Sequence, residues 1–437
     1  MKNLIFLTVP GLRRQDLTVM PNLQSLFGKS HSPCTLAHSF PAVTWPSQAT
    51  MLTGKTADQH GAVGNGFYWR DKQKVEMWTA WNEVIHQPQM WDELKTHGIS
   101  TAAWFPMLSK GSNADFVCMP APIHQPDGSE DMWCYTKPQE FYGALLEKLE
   151  HFPLKHFWGP LANIQSSQWI ADSAVLAAET FKPQFFYIYL PHLDYAAQKF
   201  GPDSDQAIQT LTELDDVIAA MAQKMVAAYG EVDWMVASEY EITPVNHVSY
   251  PNRLLRRAGL LHVDNRDDGE HLDLSASRAW AMVDHQFSHI FVRDRAKETI
   301  QAVVDLFTDC SGIERVLTGS ERGSLDHPRS GDVILASSAI SWQAYYWWED
   351  DTKAPDFATE VDIHKKPGYD PVELFFDFEK MQVPLDAELI RGSHGYDWGA
   401  EKSQGILLSS IPVPTDLLAD TDVFQLVMDY FVEQGAA

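Results

Sequence analysis

Cysteine is scarce in this sequence, long hydrophobic runs are missing, and negative charge far outnumbers positive charge. The 437 residues include four cysteines, which are widely spaced and form no CxxC pair. This usage argues against a disulfide framework and fits a reducing compartment better. Lys and Arg number 33 against 59 Asp and Glu, so the formal net charge is -26. Such an excess of negative charge disfavours nucleic acid and anionic membranes as partners.

The apolar stretch at the start of the chain, residues 1–9, is too short for a signal peptide or a membrane-spanning helix. We interpret it as a buried first strand, which makes the cytoplasm the expected location. Apolar residues make up 45% of the chain, an ordinary share for a globular protein with a large core. Aromatic residues are dense, with 15 Trp, and a few of them could line a pocket for an organic group.

Short apolar runs alternate with longer helical stretches along most of the chain. The runs predict buried strands at 4–9, 185–190, 233–237 and 332–336. The longer stretches predict helices at 141–150, 167–180, 205–229 and 251–258. This alternation predicts an α/β fold, in which helices cover both faces of a largely parallel sheet.

A smaller α+β unit is predicted at 277–322, as an insert or a cap over the site. Its pattern is strand, strand, helix, strand, at 279–283, 289–292, 296–307 and 313–318. The remaining segments, 1–276 and 323–437, would then form the α/β core.

The segment 40–54 places one hydroxyl, that of Thr44, between an extended Pro-containing stretch and a helix start. Backbone N–H groups at a helix N-terminus can hold a phosphate or another oxyanion. A covalent hydrolase needs this arrangement around its nucleophile. The alternative is that Thr44 merely caps the helix.

Carboxylates and imidazoles cluster in four segments near predicted strand ends. These segments are 190–195, 238–244, 284–289 and 391–397. Together they indicate a metal or acid/base site assembled from distant parts of the chain. Carboxylates and imidazoles suit zinc, and carboxylates with water also suit manganese or magnesium.

The order of these motifs resembles the alkaline phosphatase superfamily, in particular its type I phosphodiesterase/nucleotide pyrophosphatase branch. The resemblance includes the Phe-Pro-x-x-Thr-x-Pro turn at 40–46, the segment 60–67, and Gly-x-His-Gly-Tyr-Asp at 392–397. It implies a three-layer α/β/α sandwich with metal ions, usually zinc, at the strand ends. It also implies that Thr44 is the nucleophile. We expect Ser47, Asn65 and Trp69 to contact the substrate.

The metal-ligand positions depart from the pattern of the family. Pro10 stands where the family has an Asp, Gln198 where it has a His, and Tyr240 where it has a second His. The candidate metal ligands that remain are Asp194, Glu239 and His394. Asp194 and His394, with Gln198 as a third donor, could make one site, whereas the other site keeps only Thr44 and Glu239. We therefore expect one divalent cation or none. Further histidines that could compensate are His192, His285 and His289.

Three hypotheses remain open at this point. The first is a hydrolase of phosphate esters or diesters that uses Thr44 and a reduced or rearranged metal site. The second is a metal-free protein on the same fold. It would be either an enzyme with Tyr240, Glu239 and His394 as acid/base groups or a binding protein for a small metabolite. The third is a structural partner in an assembly. The oligomeric state is open under all three.

Overall fold

A nine-stranded mixed sheet forms the centre of the protein. The computed structural model describes residues 3–27, 33–124, 130–398, 402 and 405–432. Within these residues the strands of the large sheet lie in the following spatial order: Leu417–Ala419, Cys34–Ala37, Ile406–Ser409, Asp233–Ser238, Leu4–Val9, Phe185–Tyr189, Thr101–Trp104, Phe116–Pro120 and Cys134–Lys137.

The five central strands of this sheet run parallel, from Asp233–Ser238 to Phe116–Pro120. Strand Leu4–Val9 lies in the middle, with Leu4 opposite Phe185 on one side and Asp233 on the other. All six of its residues are buried, as expected for a strand covered on both faces. The carboxyl ends of parallel strands meet at one edge of the sheet, which is where ligands bind in such folds.

Helices cover both faces of the sheet and complete three layers. The long helices Ile164–Phe181 and Asp205–Tyr229 pack against each other, and Thr44–Thr53 packs against Asp422–Val432. Buried side chains from all four helices join the strands in one hydrophobic core. The predicted α/β/α sandwich is therefore confirmed. The α-helices of the described residues are Pro21–Ser25, Thr44–Thr53, Ala57–His60, Met90–Thr96, Phe141–Leu149, Ile164–Phe181, Leu193–Phe200, Asp205–Tyr229, Pro251–Arg257, Lys297–Phe307 and Asp422–Val432.

A second, antiparallel sheet packs around its own core. Its strands lie in the order Ala279–Asp284, Phe287–Val292, Val333–Ser337 and Ile313–Thr318. Helix Lys297–Phe307 packs on this sheet. The strand that we predicted at 332–336 for the large sheet belongs here, so that prediction is wrong. A short buried apolar run does not reveal which sheet it will join. The division of the chain at 277–322 stays a prediction.

Shorter elements connect the two sheets. The remaining strand pairs are Gly66–Trp69 with Lys74–Met77, Ile123–His124 with Glu130–Asp131, Thr243–Pro244 with Gly392–Ser393, His247–Ser249 with Ser341–Gln343, and Val263–Arg266 with Gly269–Leu272. The 3₁₀ helices are Arg14–Val19, Asn82–Val84, Leu154–His156, Arg293–Arg295, Gly319–Leu325, Asp351–Lys353, Asp356–Thr359, Pro371–Phe375 and Ala387–Leu389. Among the described residues, no helix has the length and apolar character needed to cross a membrane.

Candidate active site

The carboxyl edge of the large sheet gathers side chains from distant parts of the chain. Glu239 and Tyr240 directly follow the strand that ends at Ser238. Asp194 lies in the first turn of a helix that begins after Phe185–Tyr189, the parallel strand on the other side of Leu4–Val9. His394 follows a short strand that pairs with residues just beyond Tyr240. Four residues that we had singled out in sequence segments 200 residues apart thus meet at one edge.

Thr44 is the first residue of helix Thr44–Thr53, and its hydroxyl points into the site. The N-cap residue is Val43, whose side chain makes no hydrogen bond to the helix. The hydroxyl oxygen of Thr44 lies 3.3 Å from that of Tyr240. The alternative that Thr44 caps the helix is therefore wrong, because its hydroxyl is turned toward Tyr240 instead.

Asn65 provides the side-chain cap for this helix. Its Oδ1 accepts a hydrogen bond from the backbone N–H of Trp45 at 3.1 Å. Pro46 has no N–H, and the N–H of Ser47 makes the first bond of the helix. Within the described residues, the N–H of Thr44 has no acceptor in this turn. A free N–H beside a hydroxyl at a helix N-terminus is suited to an oxyanion.

Four aromatic rings form a continuous stack beside Thr44; three of them are buried, and Tyr369 at one end is partly exposed. The ring of Tyr240 lies 3.7 Å from that of His394 and is tilted by 4°. His394 lies 3.7 Å from His285, and His285 lies 3.8 Å from Tyr369. The two tyrosine hydroxyls therefore project from opposite ends of one rigid stack, which fixes both of them.

The stack is anchored to helix Thr44–Thr53 through the buried carboxylate of Asp284 and through Asn65. Asp284 accepts hydrogen bonds from the backbone N–H of Asn65 at 2.7 Å and from its side-chain amide at 3.1 Å. His285 Nδ1 lies 2.7 Å from Asp284 Oδ1. Burial lowers the pKa of His285 well below its ordinary value, so the neutral ring donates a hydrogen bond here. His285 has a φ of +60°, a strained value at the turn of a hairpin.

The carboxyl groups of Asp194 and Glu239 are largely desolvated. Burial raises the pKa of Asp194 to about 7 and that of Glu239 to about 8. Glu239 Oε1 accepts a hydrogen bond from Gln48 at 2.9 Å. Thr44 and Asp194 are each 7% exposed, whereas Glu239 and Tyr240 are fully buried. A substrate would therefore reach the site from the side of Thr44 and Asp194.

Three atoms of this site are free to receive a cation. The Oδ1 of Asp194 and the Oε2 of Glu239 are buried without a hydrogen-bond partner in the described structure. His394 Nδ1 lies 3.1 Å from the carbonyl oxygen of Ala42, so Nδ1 donates and Nε2 keeps its lone pair. His394 Nε2 lies 3.9 Å from Asp194 Oδ1. These donors suit one divalent cation.

A second cation does not fit the residues present. Pro10 offers no side-chain donor. Tyr240 offers only a phenol, and burial raises the pKa of this phenol well above its ordinary value. Gln198 Oε1 already accepts a hydrogen bond from Tyr369 at 2.9 Å. No group of three or more His, Cys, Asp or Glu side chains in the described part of the chain is arranged to hold a metal ion. Glu239 would have to move to complete a three-ligand set.

Two of the extra histidines are engaged elsewhere. His192 Nε2 lies 2.9 Å from Glu213, and His192 precedes a helix rather than lying on a strand. His192 therefore bonds to Glu213 and is not on a strand face shared with Asp194. His289 Nε2 donates to the carbonyl of Val63 at 3.0 Å, and its Nδ1 accepts from the N–H of Gly331 at 3.1 Å. Both nitrogens of His289 are used structurally.

The expected substrate contacts lie around the start of the same helix. Ser47 is 2% exposed, and its hydroxyl has no partner among the described residues. Trp69 lies farther out on a hairpin, where its indole N–H donates to Glu76 at 2.7 Å and its ring packs on Phe67. The substrate-binding roles of Ser47, Asn65 and Trp69 stay predictions, as do the roles of Thr44 and Tyr240.

Sequence reasoning missed three members of this network. Asp284 was noted only within a longer segment, and Tyr369 and Gln48 were not noted at all. Gln48 follows Ser47 and could have been found as a polar residue on a buried helix. Tyr369 lies in a loop without a recognisable motif, so no sequence signal identifies it.

Comparisons with known proteins identify the family of this chain. The family model described as type I phosphodiesterase/nucleotide pyrophosphatase matches residues 4–370. An uncharacterized pyrophosphatase/phosphodiesterase of Schizosaccharomyces pombe is 25% identical over 228 residues. That alignment covers 50% of this chain and 40% of the yeast protein, so the chain spans about two fifths of that relative.

Solved structures with the same fold include two with bound ligands. The phosphonoacetate hydrolase of Sinorhizobium meliloti 1021 in complex with phosphonoacetate has a TM-score of 0.63 and 14% identity, over 99% of this chain and 96% of that one. An inactive form of murine ectonucleotide pyrophosphatase/phosphodiesterase 5 in complex with AMP has a TM-score of 0.62 and 12% identity, over 99% and 95% of the two chains. At these identities the likeness establishes the fold.

Proposed function

Because the chain belongs to the type I phosphodiesterase/nucleotide pyrophosphatase family, we propose that it hydrolyses small phosphate esters or diesters with Thr44 as the nucleophile. The observation that carries this proposal is the placement of Thr44. Its hydroxyl faces Tyr240 at 3.3 Å, and its own N–H at the helix start has no acceptor among the described residues. Both groups are available to a phosphoryl group that approaches Thr44.

The electrostatics of the site call for a cation beside the substrate. Asp194 and Glu239 are buried near Thr44, and ionised carboxylates would repel a phosphate. We propose that Asp194, His394 and Glu239 hold one divalent cation, such as zinc. When bound, the cation offsets the negative charge of the carboxylates and of the phosphoryl oxygens.

The residues of the chain would then act as follows. Thr44 Oγ1 forms the bond to phosphorus, the ester oxygen leaves, and water later cleaves the Thr44–phosphorus bond. Tyr240 holds and orients the Thr44 hydroxyl through the contact at 3.3 Å, and the proton of Thr44 passes to solvent water as the bond to phosphorus forms.

The class of substrate follows from the family and from the charge of the chain. The structural relatives bind phosphonoacetate and AMP, both small phosphorus-containing anions. The strongly negative chain disfavours long nucleic acids. A small phosphate-containing metabolite is the substrate that we propose. Four free thiols support a reducing compartment such as the cytoplasm as its location.

Hydrolysis of 4-nitrophenyl phosphate and bis(4-nitrophenyl) phosphate with added zinc tests the role of Thr44. The turnover rate of Thr44→Ala should be at least about a thousandfold lower than that of the wild type, because the variant lacks the proposed nucleophile. Thr44→Ser keeps a hydroxyl at the same place and should retain much of the activity. If Thr44→Ala turns over at the wild-type rate, Thr44 is not the nucleophile.

A metal-free function on the same fold is the second candidate. It is favoured by Tyr240 and by Gln198, whose oxygen is already bonded to Tyr369. In that case Tyr240, Glu239 and His394 would act as acid/base groups or would bind a small metabolite. Activity or ligand binding that survives complete removal of divalent metal by a chelator would support this candidate over the first.

A further inference from the structure

The side-chain amide of Gln198 is held in one orientation by Tyr369, and we infer that it donates a hydrogen bond to a phosphoryl oxygen of the substrate. This inference rests on the proposed function, since it assigns a substrate contact in the same site. Gln198 would be a substrate-binding residue rather than a metal ligand. Tyr369 would be a positioning residue, because it acts through Gln198.

Gln198 lies one helical turn after Asp194, so both side chains project from the same face of helix Leu193–Phe200. Gln198 is fully buried. Its backbone carbonyl is fixed as well, because it accepts the N–H of Arg391 at 3.0 Å. The side chain therefore has little freedom apart from the orientation of its terminal amide.

Tyr369 fixes the orientation of this amide. Its hydroxyl donates to Gln198 Oε1 at 2.9 Å, which turns the amide nitrogen toward the site. Tyr369 itself is held by its ring contact with His285, at 3.8 Å and 19°, and by its backbone N–H, which donates to Val283 at 3.0 Å. Its hydroxyl cannot swing away without breaking the ring stack.

The amide nitrogen of Gln198 is a buried donor that meets no acceptor in full hydrogen-bond geometry among the described residues, and the carboxyl group it faces is that of Asp194. Leaving such a donor unpaired is costly, so an acceptor is expected there. Asp194 is close by, but the proposed cation competes for its oxygens. A cation would also be repelled by the N–H₂ group itself. A phosphoryl oxygen accepts hydrogen bonds and carries negative charge, so it matches the donor.

The residues around this donor reach the surface. Asp194, one turn before Gln198, is 7% exposed, and Tyr369, which bonds to Gln198, is partly exposed. Tyr240 contacts Thr44 at one end of the stack, and Tyr369 contacts Gln198 at the other end. Asp194 faces both Tyr240 and Gln198, so the Gln198 amide and the Tyr240–Thr44 pair flank the same carboxyl group.

Calorimetric titration with inorganic phosphate in the presence of zinc, together with steady-state kinetics on bis(4-nitrophenyl) phosphate, tests the inference. Gln198→Leu should weaken phosphate binding by about tenfold or more, because it removes the donor but keeps much of the volume. Tyr369→Phe keeps the stacked ring and should weaken phosphate binding by about three- to tenfold, because the amide is free to turn. In both variants KM should rise more than kcat falls.

Tyr346→Phe is the matched control, since Tyr346 is fully buried and its hydroxyl has no partner in the described structure. It should bind phosphate as the wild type does. Unchanged phosphate affinity in Gln198→Leu, with an unchanged melting temperature, would overturn the inference. So would a wild-type protein that binds no phosphate. If Thr44→Ala keeps full turnover while Gln198→Leu still loses phosphate binding, the proposed nucleophile fails and the substrate contact stands.

Discussion

The histidines of this chain differ in how many of their ring nitrogens are already used. His289 uses both, one for the carbonyl of Val63 and one for the N–H of Gly331. His394 uses one, for Ala42, and keeps the other next to Asp194. A ring with both nitrogens bonded stabilises the fold, whereas a ring with one free lone pair can bind a cation.

His289 should make the protein less stable in acid. Burial lowers its pKa to about 4, whereas in the unfolded chain the pKa is about 6.5. The unfolded state therefore binds the proton first, and the stability that His289 contributes is lost as pH falls from about 6.5 to about 4. In melting experiments across this range, His289→Gln should show a shallower loss of melting temperature than the wild type.

The exposed His97 offers a control for this experiment. His97→Gln should leave the pH dependence of the melting temperature unchanged. An identical acid slope in wild type and His289→Gln would show that His289 takes up no proton on unfolding.

Single residues of the site were partly predictable from the sequence. Thr44, Asp194, Tyr240 and His394 lie in short motifs next to strand ends, so their convergence could be expected, and the structure brings them into contact. Tyr369 could not be predicted, because a loop residue reaches the site through tertiary packing alone.

Close backbone contacts between helices and strands fix the relative positions of the site residues, and the contact at Gly392 is the clearest case. A Cβ at Gly392 would lie 2.2 Å from the backbone oxygen of Ala197, on the helix that carries Asp194 and Gln198. Gly392 also precedes His394 by two residues. The short strand of Gly392 and the helix thus set the distance between His394 and Asp194.

Gly392→Ala should force this strand and helix apart. We expect a loss of stability of about 1–3 kcal/mol, as is typical of overpacking. We also expect a fall in kcat/KM of about tenfold or more, because His394 moves relative to Asp194. Thermal unfolding and steady-state kinetics measure the two effects.

Gly143→Ala is the matched substitution, because no atom lies within 4 Å of a Cβ built there, on helix Phe141–Leu149. It should be neutral or stabilising by roughly 0.5–1 kcal/mol. Equal behaviour of the two alanine variants would contradict the proposed role of the Gly392 contact.

The sequence predicted the bounds of helices and strands well, because these depend on the local pattern of residues. It predicted poorly which sheet a strand joins, because that depends on tertiary pairing. Strand Leu4–Val9 and helix Asp205–Tyr229 have the predicted bounds, because their length and burial are visible in the sequence. Strand Val333–Ser337 was assigned to the wrong sheet, since its apolar run suits either sheet.

For the whole molecule, the net charge of -26 is the dominant electrostatic property. Mutual repulsion of like charges destabilises the compact state, and added salt screens it. The melting temperature should therefore rise when NaCl is increased from about 10 to about 200 mM. A melting temperature that falls over this range would mean that favourable ion pairs outweigh the repulsion.

The fold of the whole chain was predictable from the alternation of strands and helices and from the order of the motifs. The number of bound cations was not, because it depends on donor atoms whose orientation only the tertiary structure gives. Asp194 and His394 offer two such atoms 3.9 Å apart, and the positions of Pro10 and Tyr240 leave no second set.

Titration of metal-free protein with zinc, followed by hydrolysis of bis(4-nitrophenyl) phosphate, tests the proposed one-cation, Thr44-dependent site most directly. We predict that activity rises with added zinc and reaches its plateau at about one equivalent per chain, and that Thr44→Ala stays inactive throughout. A plateau at about two equivalents, or full activity in Thr44→Ala or without zinc, would contradict the proposal.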